Sequence, residues 1–248
     1  MSNVLTVTCV EDGIFRLNMD DPQTENRLSE RLISEFIVAL KDLALEPTLK
    51  VLLITGRKDV FCAGATLEVL NKITHGTTDV KDLLLPNHML SFPVPIIAAV
   101  EGHAVGGGLV LALYCDIVVA AERSRYGFNF THMGFTPGMG TTSLLPALVG
   151  YSFASEMLLT AKFYKGRELK DRGLFNYVVS ADEVFKVALE LAQRMAEKPR
   201  HVLELVKDML ALPRRRALQE ALSREHLLHK VCFSRPDTAL RIEETYLS

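Results

Sequence analysis

The sequence has few cysteines, little excess charge and no long hydrophobic run, and each lack argues against a class of protein. Its four cysteines lie far apart and form no CxxC pair, so we predict neither a zinc ribbon nor a disulfide framework. Reduced thiols in a cytoplasmic protein are expected instead. A formal net charge of −2 gives no case for binding nucleic acid.

Signals for membrane insertion and secretion are also missing. The longest apolar runs, such as PVPIIAAV over 93–100, are far shorter than the roughly 20 residues that span a bilayer. The stretch MSNVLTVTCVEDG has neither the basic region nor the apolar core of a secretory signal peptide. We therefore expect neither a membrane-spanning segment nor a secretion signal.

The first two thirds of the sequence alternate between strand and helix patterns. LTVTCVEDGIFRLNM (5–19) predicts two strands joined by a hairpin turn, and residues 28–46 have apolar positions at helical spacing with Ser29 as the N-cap. Buried strands are predicted at three apolar runs, 50–56, 95–102 and 116–122. Such runs separated by helices are typical of a mostly parallel sheet covered on both faces.

The C-terminal part of the sequence has a different pattern. From about residue 181 it becomes wholly helical, with segments predicted at 184–198, 201–212 and 214–230. The chain of 248 residues is long enough for one domain with a small appendage. We therefore divide it into a core of residues 1–180 and a helical region of residues 181–248.

Two glycine clusters each follow a predicted strand and precede a predicted helix. They are FCAGATLEVL (61–70) and GHAVGGGLVLAL (102–113). Backbone N–H groups at a helix start have no partner inside the helix and lie at the positive end of its dipole. Two such turns side by side would offer two donors to one oxygen, which is an oxyanion hole. Neither cluster fits a nucleotide-binding glycine motif, and either one alone is compatible with a plain turn.

These motifs resemble the crotonase (enoyl-CoA hydratase/isomerase) superfamily over essentially the whole chain. The matching stretches are FCAGAT, the segment 93–127 and GFTPGMGTTSLLPALVG (134–150). The resemblance implies an α/β crotonase fold, a spiral of ββα turns with a helical C-terminal trimerisation region. It also implies a homotrimer, or two trimers paired into a hexamer.

The resemblance assigns functional positions to the two turns. Family members hold a thioester carbonyl between two backbone N–H groups and stabilise the enolate formed there. Carried onto this chain, those donors are Ala65 and Gly107, and the adjacent Gly64 and Gly106 are expected to contact the substrate. No cofactor is implied.

Two glutamates that act as acid and base in the family's hydratases are missing. Their positions are occupied by Val110, three residues after Gly107, and by Phe130, four residues before Gly134. Adding water needs a base to activate it and an acid to protonate carbon, and neither side chain can do so. An oxyanion hole in a dry pocket suits decarboxylation instead, because the thioester oxygen takes up the electrons left behind.

The resemblance is strongest to the decarboxylating crotonases of polyketide β-branching cassettes. The signature is NFTHMGFTPGMG (129–140) together with AEKPR (196–200) and HLLHKVCF (226–233). Those enzymes convert a 3-methylglutaconyl thioester on an acyl carrier protein to a 3-methylcrotonyl thioester. The resemblance implies that His229 supplies the proton and that an acyl carrier protein, or CoA, carries the substrate.

Other catalytic positions depart from that branch. It uses a lysine after the first turn, and both Lys72 and Lys81 lie in this region; Lys81 is preferred. A tyrosine of some relatives is replaced by Val69, which is expected to contact the substrate. His226 and His229 have the spacing of a metal pair, but no third ligand follows, so no metal site is predicted.

Three function classes stay open at this point. The first is the carrier-protein-dependent decarboxylase. The second is another reaction of the superfamily on an enoyl thioester, either hydration or an isomerisation in which His229 or Asp79 moves a proton. The third is a non-catalytic crotonase fold kept for binding, which the intact pair of glycine turns argues against. Arg214, Arg215 and Arg216 form either a solvated face or a docking patch for an acidic carrier protein.

Overall fold

The computed structural model describes residues 4–75 and 85–247 of the chain. Its strands are β1 (Leu5–Glu11), β2 (Ile14–Met19), β3 (Val51–Thr55), β4 (Val60–Cys62), β5 (Ile96–Val100), β6 (His103–Val105), β7 (Ile117–Ala121), β8 (Arg125–Gly127), β9 (Tyr164–Lys165) and β10 (Tyr177–Val179). Its helices are α1 (Glu30–Ala44), α2 (Leu67–Thr74), α3 (Leu85–Ser91), α4 (Gly107–Leu113), α5 (Thr141–Val149), α6 (Tyr151–Thr160), α7 (Gly166–Leu169), α8 (Val184–Ala196), α9 (Arg200–Phe233) and α10 (Pro236–Leu247). In the part of the chain so described, no helix has the length and hydrophobicity to span a bilayer.

The N-terminal hairpin and the first helix form where local signals predict them. β1 and β2 pair antiparallel around the turn at Asp12 and Gly13. Helix α1 begins after Ser29, whose side chain accepts a hydrogen bond from the backbone N–H of Leu32. The apolar positions of α1 repeat every three or four residues, so they share one buried face: Leu32, Ile33, Phe36, Leu40 and Leu43.

Two sheets together form the ββα spiral. The larger sheet has the order β1-β2-β3-β5-β7-β10 and is parallel from β2 onward. The smaller has the order β4-β6-β8-β9, with β4, β6 and β8 parallel. The consecutive pairs β3-β4, β5-β6 and β7-β8 each give one strand to each sheet, so the predicted crotonase architecture is confirmed.

The larger sheet is covered on both faces. Helix α8 packs Val184, Ala188 and Ala192, which lie one turn apart, against one face of the strands. The other face belongs to the main core, which includes α1, α2 and α4. All residues of β3 and β5 are buried, which explains their continuous apolar sequences. The division of the chain between residues 180 and 181 stays a prediction.

Helix α9 is longer than the sequence indicates. The predicted segments 201–212 and 214–230 belong to one helix of 34 residues with Pro213 inside it, so a break between them is wrong. An interior proline removes a backbone hydrogen bond and costs about 3 kcal/mol or more. Tertiary contacts on both sides of Pro213 offset that cost.

Those contacts join α9 to distant parts of the core. The Nζ of Lys207 lies 2.7 Å from the Oδ2 of Asp116, and both charges are largely removed from water. Directly after Pro213, Arg214 donates to the carbonyl of Leu113 at 2.8 Å. The helix is therefore fixed to the start of β7 and to the end of α4 before it reaches the pocket.

Candidate active site

The two glycine turns lie next to each other because β4 and β6 are neighbouring parallel strands. Gly64 has φ +91° and Gly106 has φ +50°, a region that favours glycine. A Cβ on Gly64 would lie 3.2 Å from the carbonyl oxygen of Val105, so the backbones of the two turns are in close contact. The turns after β4 and β6 therefore meet at one end of the smaller sheet.

The backbone amides of Ala65 and Gly107 lie at this meeting point. Gly107 is the first residue of α4, where an N–H has no partner within the helix. The backbone of Leu28 donates to the carbonyl of Gly64 at 2.7 Å and accepts from the N–H of Thr66 at 3.4 Å. The N–H of Ala65, between these two residues, takes no part in this pair of hydrogen bonds. Both residues line the same pocket. The arrangement can stabilise a negatively charged oxygen.

The pocket is narrow and almost wholly apolar. Its volume is about 50 Å³, and its described lining has only three polar side chains, Asn129, His229 and Tyr246. Phe130 is 7% exposed and stacks at 6.2 Å on Phe128. None of the described lining residues is a carboxylate, so within this part of the chain no acid–base pair for hydration faces the two turns.

His229 reaches the pocket from α9. Its Nε2 lies 2.9 Å from the carbonyl oxygen of Thr136. A carbonyl only accepts, so Nε2 carries a hydrogen, and Nδ1 is the nitrogen that gains or loses the second proton. The ring is buried and lies 6.4 Å from that of Phe135 and 5.5 Å from that of Phe233, measured between centroids. The imidazole of His229 therefore lies at an apolar wall of the pocket.

The structure brings six of the predicted site residues to one pocket: Gly64, Ala65, Gly106, Gly107, Phe130 and His229. Val69 and Val110 are buried in the main core but do not belong to the pocket lining. Lys81 lies outside the described residues. Lys72, the other candidate, pairs with Glu30 and Glu68 on the surface.

Sequence reasoning missed several residues of the pocket. Tyr246 of α10 donates a hydrogen bond to the carbonyl oxygen of Ala65, although 181 positions separate them. Phe233 of α9 and Leu28, which precedes α1, also line the pocket. Asn129 belongs to the signature motif, and its Oδ1 would lie 2.9 Å from a Cβ on Gly106. No local pattern marks Tyr246, because its role depends on how α10 packs.

One wall of the pocket is held by a buried carboxylate. Glu225 lies one turn before His229 on α9, and both of its oxygens are 3.0 Å from the N–H of Gly140. Burial raises the pKa of Glu225 to about 7, while the Gly140 hydrogen bond acts in the opposite direction. Next to Gly140, Met139 has φ +59°, and Tyr114 donates to its carbonyl at 2.9 Å. These bonds stabilise an otherwise unfavourable backbone in the wall.

Two of the three consecutive arginines of α9 are engaged within the chain. Arg214 donates to Leu113, and Arg215 donates to Leu90 and pairs with Asp208. The docking-patch interpretation of this run therefore loses support. Among the described residues no group of three or more His, Cys, Asp or Glu side chains is placed to hold a metal ion.

Comparisons with known proteins agree with this geometry. The model of the enoyl-CoA hydratase/isomerase family matches residues 10–243, and the chain belongs to this family, the crotonase superfamily. It is 37% identical to the bacillaene synthase decarboxylase PksI of Bacillus subtilis, over 98% of each protein. It is 33% identical to the 2,3-dehydroadipyl-CoA hydratase of Escherichia coli, over 88% of this chain and 86% of the hydratase.

Solved structures give the same grouping. One from a dehydratase/decarboxylase enzyme couple involved in polyketide β-branching has a TM-score of 0.95 and 37% identity, covering 98% of this chain and 99% of that one. The ECH2 decarboxylase domain of CurF from Lyngbya majuscula has a TM-score of 0.92 and 34% identity, covering 98% and 100%. The chain is thus similar over its whole length to decarboxylases of this family.

Proposed function

We propose that the chain is a decarboxylase of polyketide β-branching that acts on a 3-methylglutaconyl thioester and releases a 3-methylcrotonyl thioester. The observation that carries the proposal is that Ala65 and Gly107, whose peptide N–H groups are the proposed donors, line one pocket whose described lining has no carboxylate. Similarity to decarboxylases along the whole chain supports the same reaction. Hydration, the reaction of other relatives, needs an acid–base pair that this lining lacks.

The reaction breaks one carbon–carbon bond. The thioester oxygen accepts hydrogen bonds from the N–H groups of Ala65 and Gly107. The bond to the distal carboxylate breaks, carbon dioxide leaves, and the electron pair passes through the conjugated double bond to the thioester oxygen as a dienolate. Donors already oriented in a dry site stabilise that charge more strongly than water would. The apolar wall at Phe130 disfavours the localised carboxylate relative to the delocalised dienolate.

The intermediate then takes up one proton. His229, with its Nε2–H held by the carbonyl of Thr136, delivers that proton from Nδ1 when the ring is charged. Protonation of the carbon that lost carbon dioxide gives the 3-methylcrotonyl thioester. Lys81 is proposed to orient the substrate carboxylate before it leaves.

The protein partner is proposed to be an acyl carrier protein that presents the thioester, with CoA as the alternative carrier. The chain is also proposed to form a homotrimer. An apolar stripe on α9 supports self-association, because its members are 42–74% exposed in the single chain: Val202, Leu205, Val206, Met209 and Leu210. Leaving such a contiguous apolar face in water is unusual for a protein that acts alone.

Mass spectrometry of the thioester distinguishes the candidate functions. Incubation with 3-methylglutaconyl thioesters on carrier protein and on CoA should give a product lighter by one carbon dioxide. An unchanged mass with a shifted double bond would identify an isomerase, and a gain of one water would identify a hydratase. Faster turnover on the carrier protein than on CoA would identify the partner.

A pair of variants tests the oxyanion hole within the same assay. Gly107→Pro removes the N–H at the first helical position, where proline is tolerated, and should lower kcat by about 10²- to 10³-fold. Gly107→Ala keeps the N–H and is the matched control, since both variants place a carbon about 3 Å from the flexible side chains of Leu28 and Met139. Equal activity of the two variants would contradict the proposed role of this amide.

A further inference from the structure

The glycine turn after β4, residues 63–65, accepts three hydrogen bonds at three successive backbone carbonyl groups, and all three donors belong to other segments of the chain. Arg27 donates to Ala63 at 2.9 Å, the backbone N–H of Leu28 donates to Gly64 at 2.7 Å, and the hydroxyl of Tyr246 donates to Ala65. The first two donors come from the loop before α1, and the third comes from α10, near the other end of the described chain. The turn is therefore fixed by two segments that are remote from each other in sequence.

The hydrogen bonds to these carbonyl groups also determine the direction of the Ala65 N–H, because the peptide unit is planar. The carbonyl of Gly64 and the N–H of Ala65 belong to one planar trans peptide, so they point in opposite directions. The bond from Leu28 to the Gly64 carbonyl therefore directs the Ala65 N–H away from Leu28. The next peptide plane carries the Ala65 carbonyl, which Tyr246 holds. Gly64 has wide conformational freedom, so it does not by itself fix the turn. The orientation of the Ala65 N–H therefore depends on the hydrogen bonds that hold the peptide before Ala65 and the peptide after it.

Tyr246 is itself well positioned for this role. The guanidinium of Arg27 lies 4.9 Å from the centre of its ring, so one arginine contacts both the turn and the tyrosine. Burial raises the pKa of the Tyr246 hydroxyl, which keeps it protonated and able to donate. Helix α10, which carries Tyr246, packs against α2, the helix that follows the turn.

We propose that Tyr246 is a positioning residue of the oxyanion hole, whose hydroxyl fixes the peptide after Ala65 so that the Ala65 N–H points at the thioester oxygen. The inference rests on the proposed function, because it assumes that this amide binds a thioester carbonyl. It adds the C-terminal helix to the parts of the chain that determine the reaction rate.

Tyr246→Phe removes the hydroxyl and keeps the ring over Arg27. Loss of an oxyanion donor lowers kcat by about 10²- to 10³-fold. In Tyr246→Phe the donor is still present but less well oriented, so kcat should fall by a smaller factor, about 5- to 20-fold. KM should change by less than about twofold, since the apolar contacts stay. Tyr151→Phe is the matched control, because Tyr151 is 81% exposed on α6.

The carbonyl of a bound thioester gives a direct readout. In a difference infrared spectrum, ¹³C-labelled 3-methylcrotonyl-CoA bound to the wild type should show its carbonyl stretch at lower frequency than in solution, because both N–H donors polarise the bond. Tyr246→Phe should reduce that displacement, and Tyr151→Phe should not. Circular dichroism and the melting temperature of each variant report whether the fold is intact.

Arg27→Gln provides a second test of the same proposal. It removes the hydrogen bond to Ala63 and the contact with the tyrosine ring. If Arg27 and Tyr246 hold the same turn, the effects of Arg27→Gln and Tyr246→Phe on kcat should be less than additive.

Two results for Tyr246→Phe would overturn the inference. One is a kcat and a carbonyl frequency that both equal those of the wild type, and the other is a lower kcat with an unchanged carbonyl frequency. A wild type that displaces the carbonyl but releases no carbon dioxide would instead contradict the proposed reaction. If the wild type displaced no carbonyl frequency, the oxyanion hole and the role of Tyr246 would both be wrong.

Discussion

Replacing Glu225 with glutamine should remove a specific part of the pH dependence of folding stability. Glu225 is 4% exposed, and burial raises its pKa from 4.5 to about 7. A carboxyl group with a raised folded pKa binds its proton more tightly in the folded chain. Its contribution to stability is therefore fully present below about pH 4.5, and it is lost as the pH rises through about 7.

The size of the effect follows from the shift. One pKa unit corresponds to about 1.4 kcal/mol, so raising the pKa from 4.5 to about 7 corresponds to about 3 kcal/mol, most of which falls between pH 5 and pH 8. The free energy of unfolding of the wild type should therefore decrease by about this amount from this group alone. In Glu225→Gln the side chain is neutral at both pH values, and its amide oxygen can still accept from Gly140.

Urea denaturation measures the difference. The free energy of unfolding is determined at pH 5 and pH 8 for the wild type, Glu225→Gln and Glu220→Gln, at one protein concentration so that association does not vary. Glu220 is exposed on the same helix, and its substitution should leave the pH dependence unchanged. If Glu225→Gln had the pH dependence of the wild type, the carboxyl group would not titrate in this range and the structural reasoning would be wrong.

Three further variants test the site and the assembly. His229→Ala should lower turnover by about 10²-fold, the usual contribution of an acid or base, whereas His201→Ala should not; near wild-type turnover would remove His229 from the mechanism. Phe130→Glu should abolish decarboxylation, because its charge repels the substrate carboxylate and is costly to bury, and should yield no more than traces of hydrated product by mass spectrometry. Combining Leu205→Glu with Met209→Glu should convert the proposed trimer to a monomer in analytical ultracentrifugation; an unchanged mass would place the interface elsewhere.

Local patterns in the sequence determined much of the framework. The hairpin, the Ser29 cap and the buried strands follow from signals that extend over a few residues, because backbone conformation and side-chain periodicity are local properties. The two glycine turns were also recognisable, since Gly64 and Gly106 have positive φ angles that favour glycine. The missing carboxylates at Phe130 and Val110 could be read from the motifs once the family resemblance was clear.

Tertiary contacts decided the rest. Pro213 predicts a break by its local chemistry, yet α9 continues through it because Lys207 is paired with Asp116, 91 positions away. The family resemblance predicts that Val110 stands at a catalytic position, but this residue lies outside the pocket lining. Such outcomes depend on which distant segments come together, and no short window of sequence contains that information.

The polar groups around the pocket show the same division most clearly. From the sequence, Glu225 is an ordinary glutamate on a helix and Tyr246 an unremarked residue near the C-terminus. Only folding removes the carboxylate from water and raises its pKa, and only the packing of α10 brings the tyrosine hydroxyl to Ala65. The sequence by itself determined the buried strands and the two glycine turns, because these follow from local backbone requirements, and the resemblance of its motifs implied the crotonase fold and the two proposed amide donors. The tertiary structure decided what holds those donors in place, because burial and hydrogen bonding across the fold depend on the whole chain.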